Sequence, residues 1–340
     1  IDDTGGGARW AQIALELIKR QYRVVFINKY PKYETVDLRL EIRHPNLQTY
    51  QVDRFGWDLF LSQNREFLQS MPLMALVEFP HPDYEQLVTQ ISQAGGTVVF
   101  DLLDDWDSAL GGDWYDLESE RRLIAGSQAL TATAPKLQQR LEGLSGRKAA
   151  LLPNAVNSAL FNPEKIYKRP GDLPKADWLA AYVGALWGEW FDWELLRRVA
   201  ESHPKAGIVV IGDYAGQCPD PPPNLHFLGL KPQPDLPAYL AHVDTAMIPW
   251  EVSDITRATS PLKVYEYLAM HRPVVAPRLP PLDGLPGVFP SDSPEEFVAA
   301  VKDVREREYP TDAVRAFIAQ NNWAARVDAL LGIINRHHQL

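Results

Sequence analysis

The sequence lacks the features of several common protein classes. One cysteine, Cys218, among 340 residues excludes an internal disulfide and is typical of a reducing compartment. No apolar run approaches the about 18 residues that a membrane-spanning helix requires, and no signal peptide is visible. A net charge of −10 is the opposite of the basic excess that nucleic-acid binders show. We therefore expect a cytoplasmic globular protein that does not bind nucleic acid.

The sequence divides into two halves with a similar pattern of predicted strands and helices. Hydrophobic residues make up 46% of the chain and charged residues 23%, as in ordinary globular proteins. In each half, short apolar runs alternate with segments of helical periodicity, which predicts an α/β protein of two doubly wound, Rossmann-like domains facing across a cleft. The expected units are a first domain at 1–155, a linker at 156–177, a second domain at 178–309 and a C-terminal helix at 310–340.

The chain opens with I-D-D-T-G-G-G and continues into a predicted amphipathic helix. The apolar face of that helix is expected to consist of Trp10, Ile13, Ala14, Leu17 and Ile18. A glycine-rich loop that opens a helix usually follows a strand, so we expect the first strand of this domain to lie upstream of Ile1 or to be absent. The spacing is not G-x-G-x-x-G, so a dinucleotide-binding fingerprint is not indicated.

The most informative segment runs from 254 to 277 and is predicted to be loop, helix and strand. Ser260 suits an N-cap, and Pro261 suits the first helical position, where no N–H is required. Leu262 begins the buried stripe of the helix. The helix should end before Pro273, because the residue that precedes a proline is disfavoured in helical conformation.

The polar residues of this segment suggest a nucleotide site. A helix N-terminus offers free N–H groups and partial positive charge, which attract phosphate. Lys263 lies in the first turn and Arg257 in the preceding loop, so both could hold a diphosphate. Glu266 follows Lys263 by three residues on the same face, where it could bind ribose hydroxyls. The alternative interpretation is an ordinary solvated Glu/Lys face.

The motif S-P-L-K-V-Y-E-Y-L-A-M-H-R-P-V-V-A-P, residues 260–277, resembles the donor-site signature of the large retaining, nucleotide-sugar-dependent family of GT-B glycosyltransferases (glycosyltransferase family 4-like). In that family the helix carries the ribose-binding glutamate, which maps to Glu266. The fuller motif has a second glutamate eight residues earlier, where this chain has Ala258. The likeness is greater to a subgroup with T-S-P-L-K and E-Y-L-A that also lacks that glutamate.

The resemblance extends over nearly the whole chain and implies roles for other residues. The turn at Leu230 resembles the one whose backbone reads the nucleotide base, and Gly6 and Gly7 would line the catalytic cleft. The alternative for the two glycines is a flexible terminus. In much of the family the first loop of the second domain carries basic residues for the diphosphate; residues 185–191 carry none, so Lys263 and Arg257 would do this work. The terminal helix would cross back to the first domain.

An acidic cluster, D-L-L-D-D-W-D, follows the predicted strand at 97–100. Ligands of parallel sheets bind at the carboxyl ends of strands. The resemblance implies that this loop faces the donor sugar, and Asp104 and Asp105 are our candidates for contacts to sugar or acceptor hydroxyls. One alternative is a metal-binding D-x-D at Asp105 and Asp107; another is helix capping and turn formation.

The implied reaction is glycosyl transfer from a nucleotide-diphosphate sugar to an acceptor hydroxyl, with retention, in polysaccharide or glycoconjugate synthesis. The helix tip, Lys263 and Arg257 would stabilise the leaving diphosphate, so we expect no metal and no other cofactor. The acceptor would be a glycan or a lipid-linked molecule. The alternatives are a non-catalytic nucleotide-sugar-binding or scaffolding domain and an epimerase or phosphorylase on the same fold.

Basic residues in the first half admit two interpretations. They are Lys29, Lys32, Arg39 and Arg43. They could contact an acceptor or a membrane surface as a peripheral attachment, or be ordinary surface charge.

Overall fold

A computed structural model describes residues 8–28, 44–52, 56, 59–60, 62, 72–186, 188, 190–214, 216, 218 and 220–338. The predicted α/β architecture with parallel sheets is confirmed. The proposed cleft-loop glycines Gly6 and Gly7 lie outside the described residues, as do the four basic residues between positions 29 and 43.

The first lobe is built on parallel strands with helices beside them. Its strands are β1 (Val24–Asn28), β2 (Leu47–Gln51), β3 (Met74–Val77), β4 (Thr97–Leu102), β5 (Ala129–Ala132) and β6 (Ala150–Leu151). Its helices are α1 (Arg9–Lys19), α2 (Glu85–Gln93), α3 (Leu117–Ala125) and α4 (Pro135–Ser145). Among the described residues, β3-β4-β5-β6 form one sheet in that order, and β1 and β2 pair separately.

The strands described in the second lobe form a parallel sheet in the order β12-β11-β10-β7-β8-β9. Its strands are β7 (Trp178–Val183), β8 (Ala206–Ile211), β9 (Leu225–Phe227), β10 (Thr245–Met247), β11 (Val274–Pro277) and β12 (Val288–Ser291). Its helices are α5 (Trp193–Ser202), α6 (Leu236–Leu240), α7 (Asp254–Ala258), α8 (Leu262–Ala269) and α9 (Pro294–Asp303). Strands β7 and β8 are buried along their whole length, as expected for apolar runs covered by helices on both faces.

Helix starts in the second lobe follow from local sequence. The carboxylate of Asp192 accepts a hydrogen bond from the Leu195 N–H at 2.7 Å, and the Ser293 hydroxyl accepts one from the Glu296 N–H at 3.2 Å. Aspartate and serine are among the residue types preferred at N-caps. Short polar side chains at these positions satisfy N–H groups that the helix itself leaves unpaired.

The predicted single C-terminal helix is wrong, because the segment forms two helices, α10 (Thr311–Gln320) and α11 (Trp323–His338). The helix is broken because the backbone between α10 and α11 makes hydrogen bonds to the segment between the lobes, residues 152–177. The Val156 N–H donates to the Asn321 carbonyl at 3.1 Å, and the Trp323 N–H donates to the Val156 carbonyl at 3.2 Å. Helix α11 then packs on α1 of the first lobe, sharing a buried cluster that includes Ile13 and Leu330.

The expected apolar face of α1 is partly wrong. Ile13, Ala14 and Ile18 are buried, but the Trp10 side chain is 45% exposed. The neighbouring Arg9 is buried instead, because its guanidinium pairs with the buried carboxylate of Asp101 at 2.8 Å. Because of this long-range ion pair, the buried face of α1 differs from the face that hydrophobic periodicity predicts.

We predict that Leu330→Ala will destabilise the protein by about 2–5 kcal/mol, because it removes buried methyl groups from the contact of α11 with the first lobe. Asp328→Ala on the same helix is the matched control; its exposed pair with Arg20 should contribute below about 1 kcal/mol. Urea unfolding measures both. An equal loss in the two variants would contradict the packing described here.

Candidate active site

The second sheet has a topological switch point between β7 and β10, where the strand order reverses direction. The loops that follow these two strands turn to opposite sides, which leaves a crevice at their carboxyl ends. The crevice is bordered by Gly184 after β7, Trp250 after β10 and the first turn of α8. The first turn of α8, from the predicted donor segment, therefore lies at the place where open α/β sheets bind ligands.

The start of α8 differs from its predicted form. The N-cap is Pro261 rather than Ser260, and the helix begins at Leu262. The Ser260 side chain makes no cap, because its hydroxyl accepts a hydrogen bond from the Asn154 N–H at 3.3 Å, while the Asn154 side-chain amide donates to the Ser260 carbonyl at 2.6 Å. Residues from the segment between the lobes thus fix the entry to α8.

The amino end of α8 is open. Its first two N–H groups, of Leu262 and Lys263, have no hydrogen-bond partner among the described residues, and the Val264 N–H reaches only the Pro261 carbonyl at 3.2 Å. Free N–H groups at a helix start bind anions. The Leu262 side chain points elsewhere and packs on the cluster that α11 shares with the first lobe. Leu262 would therefore contact a ligand through its backbone N–H.

Lys263 reaches the switch point. Its ammonium lies 4.5 Å from the ring centroid of Trp250 and 5.1 Å from that of Tyr182. No carboxylate among the described residues lies within ion-pair distance of it. Gly184 leaves room for this side chain: a Cβ there would lie 2.5 Å from the Lys263 Cε, and its φ of +147° also favours glycine. Burial lowers the pKa of Lys263 to about 8, and the charge of Glu266 opposes that shift.

Tyr267 holds α8 against the sheet. The Val183 N–H at the end of β7 donates to the Tyr267 hydroxyl at 2.7 Å, and this hydroxyl donates to the Val183 carbonyl at 3.3 Å. Burial raises the pKa of Tyr267 well above its ordinary value, so the phenol remains a donor. These two hydrogen bonds fix the position of α8, and with it Lys263 and Glu266, relative to the carboxyl end of β7.

Glu266 has a partner that the sequence did not indicate. The Gln233 amide donates to its carboxylate at 3.0 Å, while the Gln233 carbonyl oxygen is buried without a hydrogen-bond partner among the described residues. Burial raises the pKa of Glu266 to about 7, and the bond from Gln233 acts against that rise. Because Gln233 lies three residues after Leu230, it connects the glutamate to the turn expected to read the base. No local pattern marks Gln233, since the contact spans 33 residues.

The turn at Leu230 has backbone groups without a hydrogen-bond partner among the described residues. Gly229 adopts a positive φ of 71°, and its carbonyl accepts a bond from the Gly212 N–H at 3.2 Å. The N–H and carbonyl of Leu230 make no hydrogen bond to another described residue. Both groups are therefore available to a flat polar ligand.

Arg257 lies in a helix, not in the loop that was predicted. Ser253 starts α7 with a capping box that also uses Thr256, so the loop prediction overlooked a local cap. The Arg257 side chain is exposed and makes no ion pair with a described residue. Ala258 is fully buried and packs into the core of the first lobe, so the position of the family's other glutamate faces protein here.

Asp104 and Asp105 follow β4 on the first lobe. Burial raises the pKa of Asp104 to about 6, and the charge of Asp105 acts in the same direction. Burial also raises the pKa of Asp105, which Arg140 and Lys136 oppose. Lys136 in turn crosses between the lobes, since its ammonium donates to the Asp254 carboxylate at 2.8 Å. The acidic loop thus lies where the first lobe meets α7.

Charged groups behind this loop were not anticipated. Arg9 pairs with Asp101 at 2.8 Å and lies 3.7 Å from the Glu78 carboxylate, at the carboxyl ends of β3 and β4. Burial and the Asp101 charge raise the pKa of Glu78 to about 8. Arg9 also donates to the carbonyl of Pro153, so this cluster connects α1 to the segment between the lobes.

Two further properties concern the described part of the chain as a whole. No group of three or more His, Cys, Asp or Glu residues there is arranged to hold a metal ion. None of its helices combines the length and apolar character required to cross a membrane.

Comparison with known proteins finds a family match in the second lobe. The family model for glycosyl transferases group 1 matches residues 179–307. A putative teichuronic acid biosynthesis glycosyltransferase, TuaH of Bacillus subtilis (strain 168), is 24% identical over 231 residues, covering 61% of this chain and 58% of the relative. The chain thus matches less than two thirds of that relative's length.

Solved structures show the same fold over nearly the whole chain. The α,α-trehalose 6-phosphate synthase of Burkholderia multivorans has a TM-score of 0.68 at 12% identity, covering 98% of this chain and 95% of its own. HepE of Anabaena, in complex with UDP, has a TM-score of 0.62 at 12% identity, covering 98% of each chain. The chain therefore has the GT-B fold, as its resemblance implied, and its second lobe matches the model of the glycosyl transferases group 1 family.

Proposed function

We propose that this protein transfers a sugar from a nucleotide-diphosphate sugar to an acceptor hydroxyl, with retention, in polysaccharide or glycoconjugate synthesis. The observation that carries the proposal is the Lys263 ammonium, which lies at the open end of α8 with no ion-pair partner among the residues that the structure describes. A partly buried cation and two N–H groups without a described hydrogen-bond partner, all at one point, favour a multiply charged anion. The matched family and the UDP bound by HepE agree with this assignment.

In this proposal the donor lies along α8. Its diphosphate accepts hydrogen bonds from the backbone of Leu262 and Lys263 and from the Lys263 ammonium. Its ribose hydroxyls donate to Glu266, one turn further along the helix. Its base contacts the free backbone groups of Leu230. Arg257, exposed on α7, is the second cation within the donor segment.

The reaction breaks the bond between the anomeric carbon and the diphosphate oxygen and forms a bond from that carbon to the acceptor oxygen. Negative charge develops on the departing diphosphate, where the helix end and Lys263 stabilise it. With retention, the acceptor attacks on the face that the diphosphate leaves, so the departing phosphate oxygen can take the hydroxyl proton. Asp104 and Asp105 would hold hydroxyls of the sugar or acceptor from the first lobe.

A second candidate is a non-catalytic nucleotide-sugar-binding domain. It is favoured by Ala258, which is packed in the first lobe where the family's fuller motif has a glutamate near the sugar. Measuring donor turnover distinguishes the glycosyltransferase from the non-catalytic binding domain. UDP-, GDP- and dTDP-sugars would be tested for hydrolysis and for binding by calorimetry. We expect binding and slow hydrolysis of one donor; tight binding without turnover of any donor, with or without added acceptors, would favour the binding domain.

We predict that Lys263→Met will weaken binding of the donor found in that panel by about 1.5–3 kcal/mol, which is roughly 10- to 150-fold in affinity. The substitution keeps the apolar stem between the two rings and removes the charge. Lys302→Met, on the exposed side of α9, is the matched control and should leave affinity unchanged. Equal affinities of the two variants by calorimetry would refute the phosphate contact.

Donor affinity should depend on pH with a maximum between about pH 7 and 8. In the free protein Glu266 gains a proton as pH falls through about 7, which removes the negative charge that strengthens its hydrogen bonds from ribose hydroxyls. Lys263 loses its proton as pH rises through about 8, which removes the charge that holds the diphosphate. Calorimetry with a nucleotide sugar measures both limbs. Glu266→Gln should abolish only the acidic limb; an acidic limb that survives in this variant would contradict the ribose role.

We also predict that transfer needs no divalent cation, because the helix end and Lys263 supply the positive charge. Initial rates of donor hydrolysis should be the same, within error, after dialysis against EDTA and after addition of Mg²⁺ or Mn²⁺. Loss of activity with EDTA and its recovery with a metal would contradict this prediction and revive the D-x-D interpretation of Asp105 and Asp107.

A further inference from the structure

Five aromatic side chains meet beside the acidic loop of the first lobe. They are Phe79, His81, Trp106, Trp114 and Tyr115, and we call them the aromatic wall. All five are partly exposed. Phe79 and His81 follow β3, and the other three belong to the loop between β4 and α3, so the wall lies at the carboxyl edge of the first sheet. It is on the same edge as Asp104, whose carbonyl accepts a hydrogen bond from the Trp106 N–H at 3.1 Å.

The wall has an inner and an outer layer. Phe79 and Trp106 pack on the core of the first lobe and meet edge to face, with ring centroids 5.2 Å apart. Trp114 stacks on Phe79 at 4.2 Å and meets Trp106 at 5.5 Å. Trp114 thus packs on Phe79 and Trp106 and not directly on the core. Its partly exposed indole forms the outer layer of the wall. An indole that contributes little to the core, yet is held in place by others, suggests a binding surface.

The loop that carries Trp114 is fixed rather than loosely placed. A Cβ at Gly111 would lie 1.9 Å from the Trp106 carbonyl oxygen, so the turn closes only with glycine. At the far end of the loop, the Tyr115 hydroxyl donates to the buried Glu120 carboxylate at 2.6 Å, and Arg140 binds the same carboxylate at 2.5 Å. Long loops stabilised in this way are commonly functional.

The combination of aromatic rings and carboxylates at this site indicates which kind of ligand it would bind. A pyranose ring has an apolar C–H face, which suits an indole, and an edge of hydroxyls, which suits the neighbouring carboxylates of Asp104 and Asp105. An isoprenoid chain would also contact the rings, but it would remove water from those carboxylates without replacing their hydrogen bonds, which is unfavourable. The site therefore fits a sugar ring better than a lipid chain.

We propose that the aromatic wall binds a pyranose ring of the acceptor, with Trp114 stacked on its C–H face, so that the acceptor is a glycan. This inference rests on the proposed function, since it identifies the molecule that receives the sugar. Trp114 would determine acceptor affinity, while the donor is bound by the other lobe.

Two measurements test the inference. Saturation-transfer NMR with methyl glycosides of glucose, galactose, mannose and glucuronic acid needs no turnover. We expect saturation of the ring C–H protons of at least one glycoside with the native protein, and its loss in Trp114→Leu, which keeps apolar bulk without an aromatic face. Trp114→Phe should retain part of the signal. Tyr22→Leu, an exposed aromatic residue after α1, is the control and should retain all of it.

The second measurement is transfer from the donor to the same glycosides and to farnesyl phosphate. Trp114→Leu should raise the KM for the glycoside about tenfold and leave the KM for the donor within error. No saturation of any glycoside, equal saturation in Trp114→Leu, or transfer only to farnesyl phosphate would overturn the inference. Donor hydrolysis without acceptor reports separately on the proposed function, so failure of one is distinguishable from failure of the other.

Discussion

The feature on which the rest of the molecule depends is the partly buried ammonium of Lys263, which has no carboxylate partner in the described part of the chain. Burial of an unpaired cation is unfavourable, and it lowers the pKa of Lys263 to about 8. Two aromatic faces, of Trp250 and Tyr182, compensate in part. An arrangement of this kind is stable in the free protein and becomes much more favourable when an anion arrives, as a donor diphosphate would.

The remaining contacts hold the ammonium in place from both lobes. Tyr267 fixes the height of α8 on β7, and Asn154 fixes its entry through Ser260. Asn154 also lies beside two cations, because Arg9 donates to its side chain at 3.3 Å and Arg326 to its carbonyl at 3.2 Å. Helices from both ends of the chain therefore meet at the start of α8, which connects the geometry of the donor site to the contact between the lobes.

Much of the fold could be predicted from local sequence, because apolar strands, helical periodicity and caps such as Asp192 act over a few residues. The motif around Lys263 and Glu266 was also visible, since its residues share one helix. One error, the missed helix α7, had a local cause, and the others have long-range causes. Ser260 was expected to cap α8 but bonds to Asn154, 106 residues away in sequence, and the buried Arg9 depends on Asp101. Gln233 could not be found at all, because nothing near it in sequence marks its contact with Glu266.

The most direct test is a crystal structure of the protein with the nucleotide sugar identified by binding. The diphosphate is expected at the amino end of α8, with the Lys263 ammonium about 2.7–2.9 Å from a phosphate oxygen, as in other charge-assisted hydrogen bonds, and with ribose hydroxyls on Glu266. A diphosphate bound elsewhere, with Lys263 still enclosed by Trp250 and Tyr182 and far from any phosphate, would contradict the donor site proposed here.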